Sequence, residues 1–157
     1  MTMDISKVWT IAKDMRVCMM TSWNGKQQQS RPMTSNVRED KNAIYFLDKL
    51  DSTKEKEIAE YSAISLSYAN KGSNVYLAIA GHAKVTNDRT IIKEIWSDFD
   101  KMFFDYAEDP TIRLITVTPE SAEVWEGPNK LVAGIKMLAA AITDLKPTMG
   151  KQKKIAM

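Results

Sequence analysis

The period of apolar and polar positions changes along this chain, and each change marks an element. Ile5, Val8, Trp9 and Ala12 recur at i, i+3, i+4 and i+7, which predicts a helix from about Asp4 to Lys13. An extended run over Val17–Thr21 then meets Asn24-Gly25, a dipeptide suited to a tight type I′ hairpin, so a second strand is predicted through Gln29, Arg31 and Met33. Ala43–Leu47 reads as a third strand, and Ile64, Leu66 and Tyr68, alternating with serines, as a half-buried fourth. Val75, Leu77, Ile79, Ala83 and Val85 keep that period through a long fifth strand, in which Gly81 marks a bulge or bend. Ile115 with Val117, then Val124 with Trp125, predict a sixth and a seventh around Pro119.

Three further segments read as helices. Ser52-Thr53-Lys54-Glu55 is a capping-box sequence opening a helix to about Tyr61. Ile92, Ile95, Trp96, Phe99 and Phe103 form one stripe after Asn87 and Asp88, and Leu131, Ile135, Leu138 and Ile142 another after Gly127-Pro128. The predicted architecture is α+β, mainly β: six or seven mostly antiparallel strands curved into a barrel, with helices over its ends. One domain over residues 1–145 is expected, followed by a solvated, mobile basic tail over 146–157.

Composition adds exclusions. With 157 residues, 44% hydrophobic and 27% charged, the chain has the proportions of one ordinary folded domain. Cys18 is the one cysteine and His82 the one histidine, so neither a disulfide within the chain nor a zinc site of four Cys and His ligands can form. No apolar run approaches the roughly 20 residues of a membrane helix, and residues 1–16 do not read as a signal peptide. The expectation is a soluble protein of the reducing cytoplasm. A formal charge of +2 gives no argument for a nucleic-acid partner, although Lys146, Lys151, Lys153 and Lys154 gather at the carboxyl end.

The familiar catalytic signatures are missing: the sequence contains no H-E-x-x-H, G-x-S-x-G, Walker A or G-x-G-x-x-G. His82 reads as a partly exposed sheet residue and Cys18 as an inert structural thiol. What remains suits an anion beside a flat ring. Arg31 in mid-strand offers a guanidinium fork, and Ser52, Thr53 and Lys54 bring a hydroxyl, free N–H groups and an ammonium to a helix start. Residue type alone explains the same positions by capping, solvation and a surface ion pair.

Arg31-Pro32-Met33, Ile44-Tyr45-Phe46-Leu47-Asp48, Ser52-Thr53-Lys54-Glu55-Lys56, Tyr76 to Ala83, Asn87-Asp88-Arg89 and Ala122-Glu123-Val124-Trp125 occur in one order. Together they resemble the pyridoxamine 5′-phosphate oxidase-like flavin proteins of the general stress protein 26 type, from about Asp4 to Trp125. The resemblance implies a split β-barrel homodimer with FMN in two sites at its interface, FAD or a deazaflavin being the alternatives. It implies that Arg31 and Lys54 bind the phosphate with Ser52 and Thr53 assisting, and that Pro32, Met33 and Thr34 line the isoalloxazine. Phe46, Leu47 and Asp48 would form the facing strand, and Trp125 would approach from the partner subunit. An FMN-dependent oxidoreductase acting on a small molecule is the implied function, with a non-catalytic flavin carrier or sensor as the alternative. True pyridoxamine phosphate oxidases carry an Arg and a His near the carboxyl end, and Lys146 to Lys151 contain neither. Vitamin B6 oxidation is therefore not expected.

Overall fold

The computed structural model describes residues 2–128 and 151–157. In chain order the elements are α1 (Thr2–Met15), β1 (Val17–Trp23), β2 (Gln28–Thr34), β3 (Asn36–Arg38), β4 (Ala43–Lys49), α2 (Thr53–Glu60), β5 (Ala63–Asn70), β6 (Val75–Thr86), α3 (Arg89–Ile95), β7 (Ile112–Glu126) and β8 (Lys151–Ala156). The helix expected over Leu131 to Ile142 lies outside the described residues.

All strand pairs are antiparallel, and the sheet runs β2-β1-β5-β6-β7-β4-β3 with β8 on β7. Seven strands laid flat would hold the two edges roughly 29 Å apart. Yet β2 and β3, the two ends of the path, are separated in sequence by Ser35 alone. The sheet must therefore curl until its edges meet, as the strand pattern predicts, giving the split barrel that the resemblance implies. Ser35, 3% exposed, fixes that corner: its N–H and its hydroxyl both donate to the carbonyl oxygen of Arg16, at 2.7 and 2.6 Å.

Two apolar clusters flank the sheet. Inside the curl, Met20, Ile44, Phe46, Leu66, Leu77, Ile79, Ile115 and Val117 pack with Val8, Trp9 and Ala12 of α1, so the first helix plugs the barrel with its predicted stripe. Outside it, Ala43, Tyr45, Ile112 and Leu114 pack on Ile92 and Ile95 of α3. This two-sided burial explains why β4 reads as a nearly continuous apolar run.

Four sequence expectations change. Asn24-Gly25 does not form a two-residue hairpin: Trp23 pairs with Gln28, leaving a four-residue loop in which the Asn24 side chain accepts from the N–H groups of Lys26 and Gln27, both at 2.9 Å. That side-chain turn satisfies the backbone in another way, and only Gly25 takes a positive φ, of 93°. The stripe through Phe103 is broken after Ile95, because Ser97 donates to the Asp100 carboxylate through N–H and hydroxyl (2.8 and 3.1 Å) and starts a separate turn of 3-10 helix at Asp98–Met102. The sixth and seventh strands are one, β7, which pairs with β6 along its length despite Pro119 because a register shift at Ala80/Gly81 accommodates it. Finally, Lys151–Ala156, expected as part of a solvated tail, pairs with Ser121–Glu126 as β8, its lysine side chains still exposed.

Candidate functional site

The junction of β4 and α2 builds the polar end of the site. Ser52 caps α2, its Oγ accepting from the N–H of Glu55 at 2.9 Å, while Glu55 reaches back to the N–H of Asp51. The Ser52 hydroxyl donates to Asp48 Oδ2 at 2.6 Å, and Lys54 Nζ lies 3.2 Å from Asp48 Oδ1. Asp48 thus spends one oxygen on each neighbour and fixes the Lys54 ammonium in the lining of a cavity of about 520 Å³. The pair is largely shielded, at 15% and 10% side-chain exposure.

Pro32, Met33 and Thr34 of β2 form one wall of this cavity and Leu47 and Asp48 of β4 another. Phe99, Phe103 and Phe104 close a third, with Phe99 and Phe103 edge to face at 5.8 Å between ring centres. These two phenyl rings, 44% and 57% exposed, do not complete the core stripe that their spacing suggests. They are left at the cavity because the helix stops at Ile95.

A second polar cluster sits beside α2. β1 turns Cys18, Met20 and Ser22 inward, and β2 turns Arg31 inward opposite Met20, so Ser22 and Arg31 are diagonal neighbours across the pair. Arg31 Nη1 donates to Ser22 Oγ at 2.9 Å and Nη2 to Glu57 Oε2 at 3.1 Å, while the Ser22 hydroxyl donates to the same Glu57 oxygen at 2.7 Å. Glu57, 8% exposed, is a buried acid whose charge Arg31 balances.

Of the residues singled out from sequence, Pro32, Met33, Thr34, Leu47, Asp48 and Lys54 line one cavity. Arg31 does not line it and is held by Glu57. Phe46 is fully buried in the barrel core, Ser52 acts as cap and Asp48 partner, and Thr53 is an exposed first-turn residue. Trp125 lies on β7 opposite Tyr76, beside a shallow hollow with Asn74, Gly127 and Gln152. Sequence reasoning missed Ser22 and Glu57. The two-residue period of β1 could have placed Ser22 inside with Met20, where a hydroxyl needs a partner, and Glu57 lies one turn after Lys54 on the same helix.

Away from the cavity, Cys18 is buried and burial pushes its thiol up to about 12. Tyr68, also buried, is raised as well, chiefly by burial, and its hydroxyl has no hydrogen-bond partner among the described residues. His82 is half exposed and paired with Glu120.

A curled antiparallel sheet with a helix plugging its interior and an aromatic-walled cavity lined by β2 and β4 defines a split-barrel protein. The profile of the family described as pyridoxamine 5′-phosphate oxidase like matches residues 3–148, and the chain belongs to that family. General stress protein 26 of Bacillus subtilis (strain 168) is 27% identical over 75 residues, which are 47% of this chain and 54% of that protein. The chain thus spans about half the length of this curated relative. The solved structure of a general stress protein 26 candidate from Jannaschia sp. CCS1 superposes with a TM-score of 0.81 at 23% identity, covering 100% of both chains. The general stress FMN/FAD binding protein of Xanthomonas citri superposes with a TM-score of 0.70 at 19% identity, over 80% of this chain and 90% of that one. At these identities the superpositions establish the fold. Among the described residues, no helix is long and apolar enough to cross a membrane.

Proposed function

We propose that this protein is an FMN-binding flavoprotein that works as an oxidoreductase on a small molecule, with two copies of the chain completing two flavin sites. The observation that carries the reading is the cavity: about 520 Å³, within the roughly 300–1,000 Å³ of small-molecule sites, with three phenylalanines and Leu47 for a flat ring and a fixed ammonium at one end. The name of the Xanthomonas citri protein, FMN/FAD binding, supports a flavin, and the Lys54 end favours the phosphorylated form.

In this reading Lys54 and the first turn of α2 hold the phosphate, with Ser52 and Thr53 offering hydroxyls. Arg31 adds a second positive charge from behind that turn. Pro32, Met33 and Thr34 lie along one edge of the ring with backbone groups available to it, and Leu47 and Asp48 lie along the other. The backbone of Phe46 continues that strand, while its side chain belongs to the barrel. Trp125 reaches the site of a second copy. Bound FMN supplies the electron transfer, and the chain positions it and keeps water from its ring. The free, buried Cys18 fits a reducing cytoplasm.

A second reading, a flavin carrier or sensor, is favoured by the state of the cavity's carboxylates. Both Asp48 oxygens are bonded to neighbours, and Asp100 Oδ2 is committed to Ser97, so the acids are spent on structure.

The experiment is the visible spectrum of freshly purified protein, followed by mass measurement of what denaturation releases. A flavin spectrum and the mass of FMN are expected. Released riboflavin, FAD or a haem would reassign the cofactor, and reconstituted protein that ignores added FMN would end the flavin reading.

A further inference from the structure

We infer that Glu57 sets how strongly the site prefers a phosphorylated flavin to its unphosphorylated form, by acting as the resident counter-ion of Arg31. The inference rests on the flavin reading and adds to it a specificity residue outside the cavity wall.

The geometry is a closed triangle. Ser22 donates to Glu57 Oε2, Arg31 Nη2 donates to the same oxygen, and Arg31 Nη1 donates to Ser22 Oγ, all within 3.1 Å. The guanidinium therefore faces an anion already, one that is only 8% exposed and cannot swing into solvent without leaving Ser22 behind. The second cation is held in the same way, Lys54 by Asp48, itself bonded to Ser52. Arg31 and Lys54 thus each come to the phosphate end with an acid already bound, Glu57 and Asp48. A phosphate dianion is attracted by Arg31, but Glu57 already occupies Nη2 and competes with it for the guanidinium, and partial shielding from water strengthens both effects. Riboflavin, which has no phosphate, feels neither. Asp48 sits in the cavity wall and touches the Ser52 cap, so replacing it would disturb shape as well as charge. Glu57, like Arg31, is outside the lining, and replacing it alters the charge while leaving the wall in place.

Stability and affinity are thereby set against each other. Glu57 keeps Arg31 from being a partly buried charge with no partner when no ligand is bound, and the same carboxylate weakens the pull on phosphate. A merely structural Glu57 would have the opposite signature: its loss would loosen the helix and lower affinity for both flavins.

The test is fluorescence titration of the flavin-free protein with FMN and with riboflavin, in wild type, Glu57→Gln, Arg31→Ala and the double variant, with thermal midpoints measured alongside. Glu57→Gln is expected to melt lower and yet to raise the ratio of riboflavin to FMN dissociation constants by about tenfold. In the Arg31→Ala background the same substitution should change that ratio by less than about twofold, because the cation it screens is gone. Glu57→Met, of similar volume, carries the same expectation if the glutamine variant does not fold. An unchanged or lowered ratio, or an equal rise with and without Arg31, overturns the inference while leaving the flavin reading intact. Wild type that binds neither ligand overturns both.

Discussion

Lys54 and Asp48 meet at 3.2 Å across the junction between the end of β4 and the start of α2, so one ion pair joins the sheet, the helix cap and the cavity lining. Asp48→Ala removes the acceptor of both Lys54 and the Ser52 hydroxyl, and the expected loss is about 1 to 2 kcal/mol of unfolding free energy. Lys54→Met should also destabilise, by leaving a 10%-exposed carboxylate with only Ser52, and should weaken FMN far more than riboflavin. Urea unfolding and parallel titrations of the two flavins measure both. Equal losses for the two ligands would remove Lys54 from the phosphate site.

The outward face of β1 exposes Val17 (53%), Met19 (41%) and Trp23 (39%), with Pro32 of β2 exposed beside Met19, and Val17 and Pro32 also line the cavity. An apolar surface continuous with a ligand site is suited to pairing. Sedimentation equilibrium at micromolar concentration is expected to give twice the chain mass of 17.8 kDa. Charge placed at the centre of this face by Met19→Glu should shift the equilibrium toward monomer and lower flavin occupancy with it. A monomer holding flavin at full occupancy would contradict a shared site.

Gly81 is where β6 and β7 lose register, and a Cβ there would meet the Thr118 carbonyl oxygen at 2.3 Å and Pro119 Cα at 3.1 Å. Both are backbone atoms, so the strands themselves must move. Gly81→Ala should cost about 2 to 3 kcal/mol. Gly72→Ala is the contrast: its Cβ would meet only Asn70 Oδ1, at 3.3 Å in a turn, and a change within about 0.5 kcal/mol is expected. Chemical denaturation of the two variants separates a tight crossing from glycine content in general.

The bulge at Gly81, the α2 cap at Ser52 and the apolar face of α1 were legible because each rests on a local pattern: a glycine within an alternating run, a capping box, a helical stripe. β3 was not, since three residues carry no period, and its existence depends on Ser35 joining two sheet edges that only the closed barrel brings together. The cavity was half legible. The resemblance brought Met33, Asp48 and Lys54 together, and the strand Ala43 to Asp48 suggested one cluster of Arg31 with Ser52, Thr53 and Lys54, whereas Arg31's engagement with Glu57 depends on how α2 lies against β1 and β2. Phe99 and Phe103 misled for a related reason: their spacing fits a helix that Ser97 and Asp100 interrupt.

Cys18 and Tyr68 make the core sensitive to alkali. Burial holds the Cys18 thiol protonated, moving it from 9.0 to about 12, so above pH 9 the unfolded chain releases a proton that the folded chain keeps. Protons bound in the unfolded state then number fewer than in the native state, and stability falls as pH rises from about 9 toward 12. Tyr68 shifts in the same direction, again mainly by burial. Between pH 8 and pH 10 the wild type should lose roughly 1 kcal/mol through the thiol alone. Cys18→Ala will be less stable at pH 8 because of the cavity, but its loss between the two pH values should be smaller. Identical losses would show that the thiol does not titrate against folding.

Pyridoxamine phosphate would need its own phosphate held beside the flavin ring, and a dianion left there without partners costs several kcal/mol. Among the described residues the cations lining the cavity are Lys49 and Lys54, and Lys54 is already paired with Asp48. The described lysines of the carboxyl end do not supply the lack. Lys151, Lys153 and Lys154 lie on β8 along Ser121–Glu126, the half of β7 remote from the Ile112–Val117 stretch that pairs with β4, and Lys154 is 3.9 Å from Glu123. No significant formation of pyridoxal phosphate from pyridoxamine or pyridoxine phosphate is therefore expected from flavin-saturated protein, even where dithionite reduces the bound flavin and air reoxidises it. Steady turnover on the order of 1 per second or faster would mean that a second phosphate site exists and that the cavity carries vitamin B6 chemistry after all.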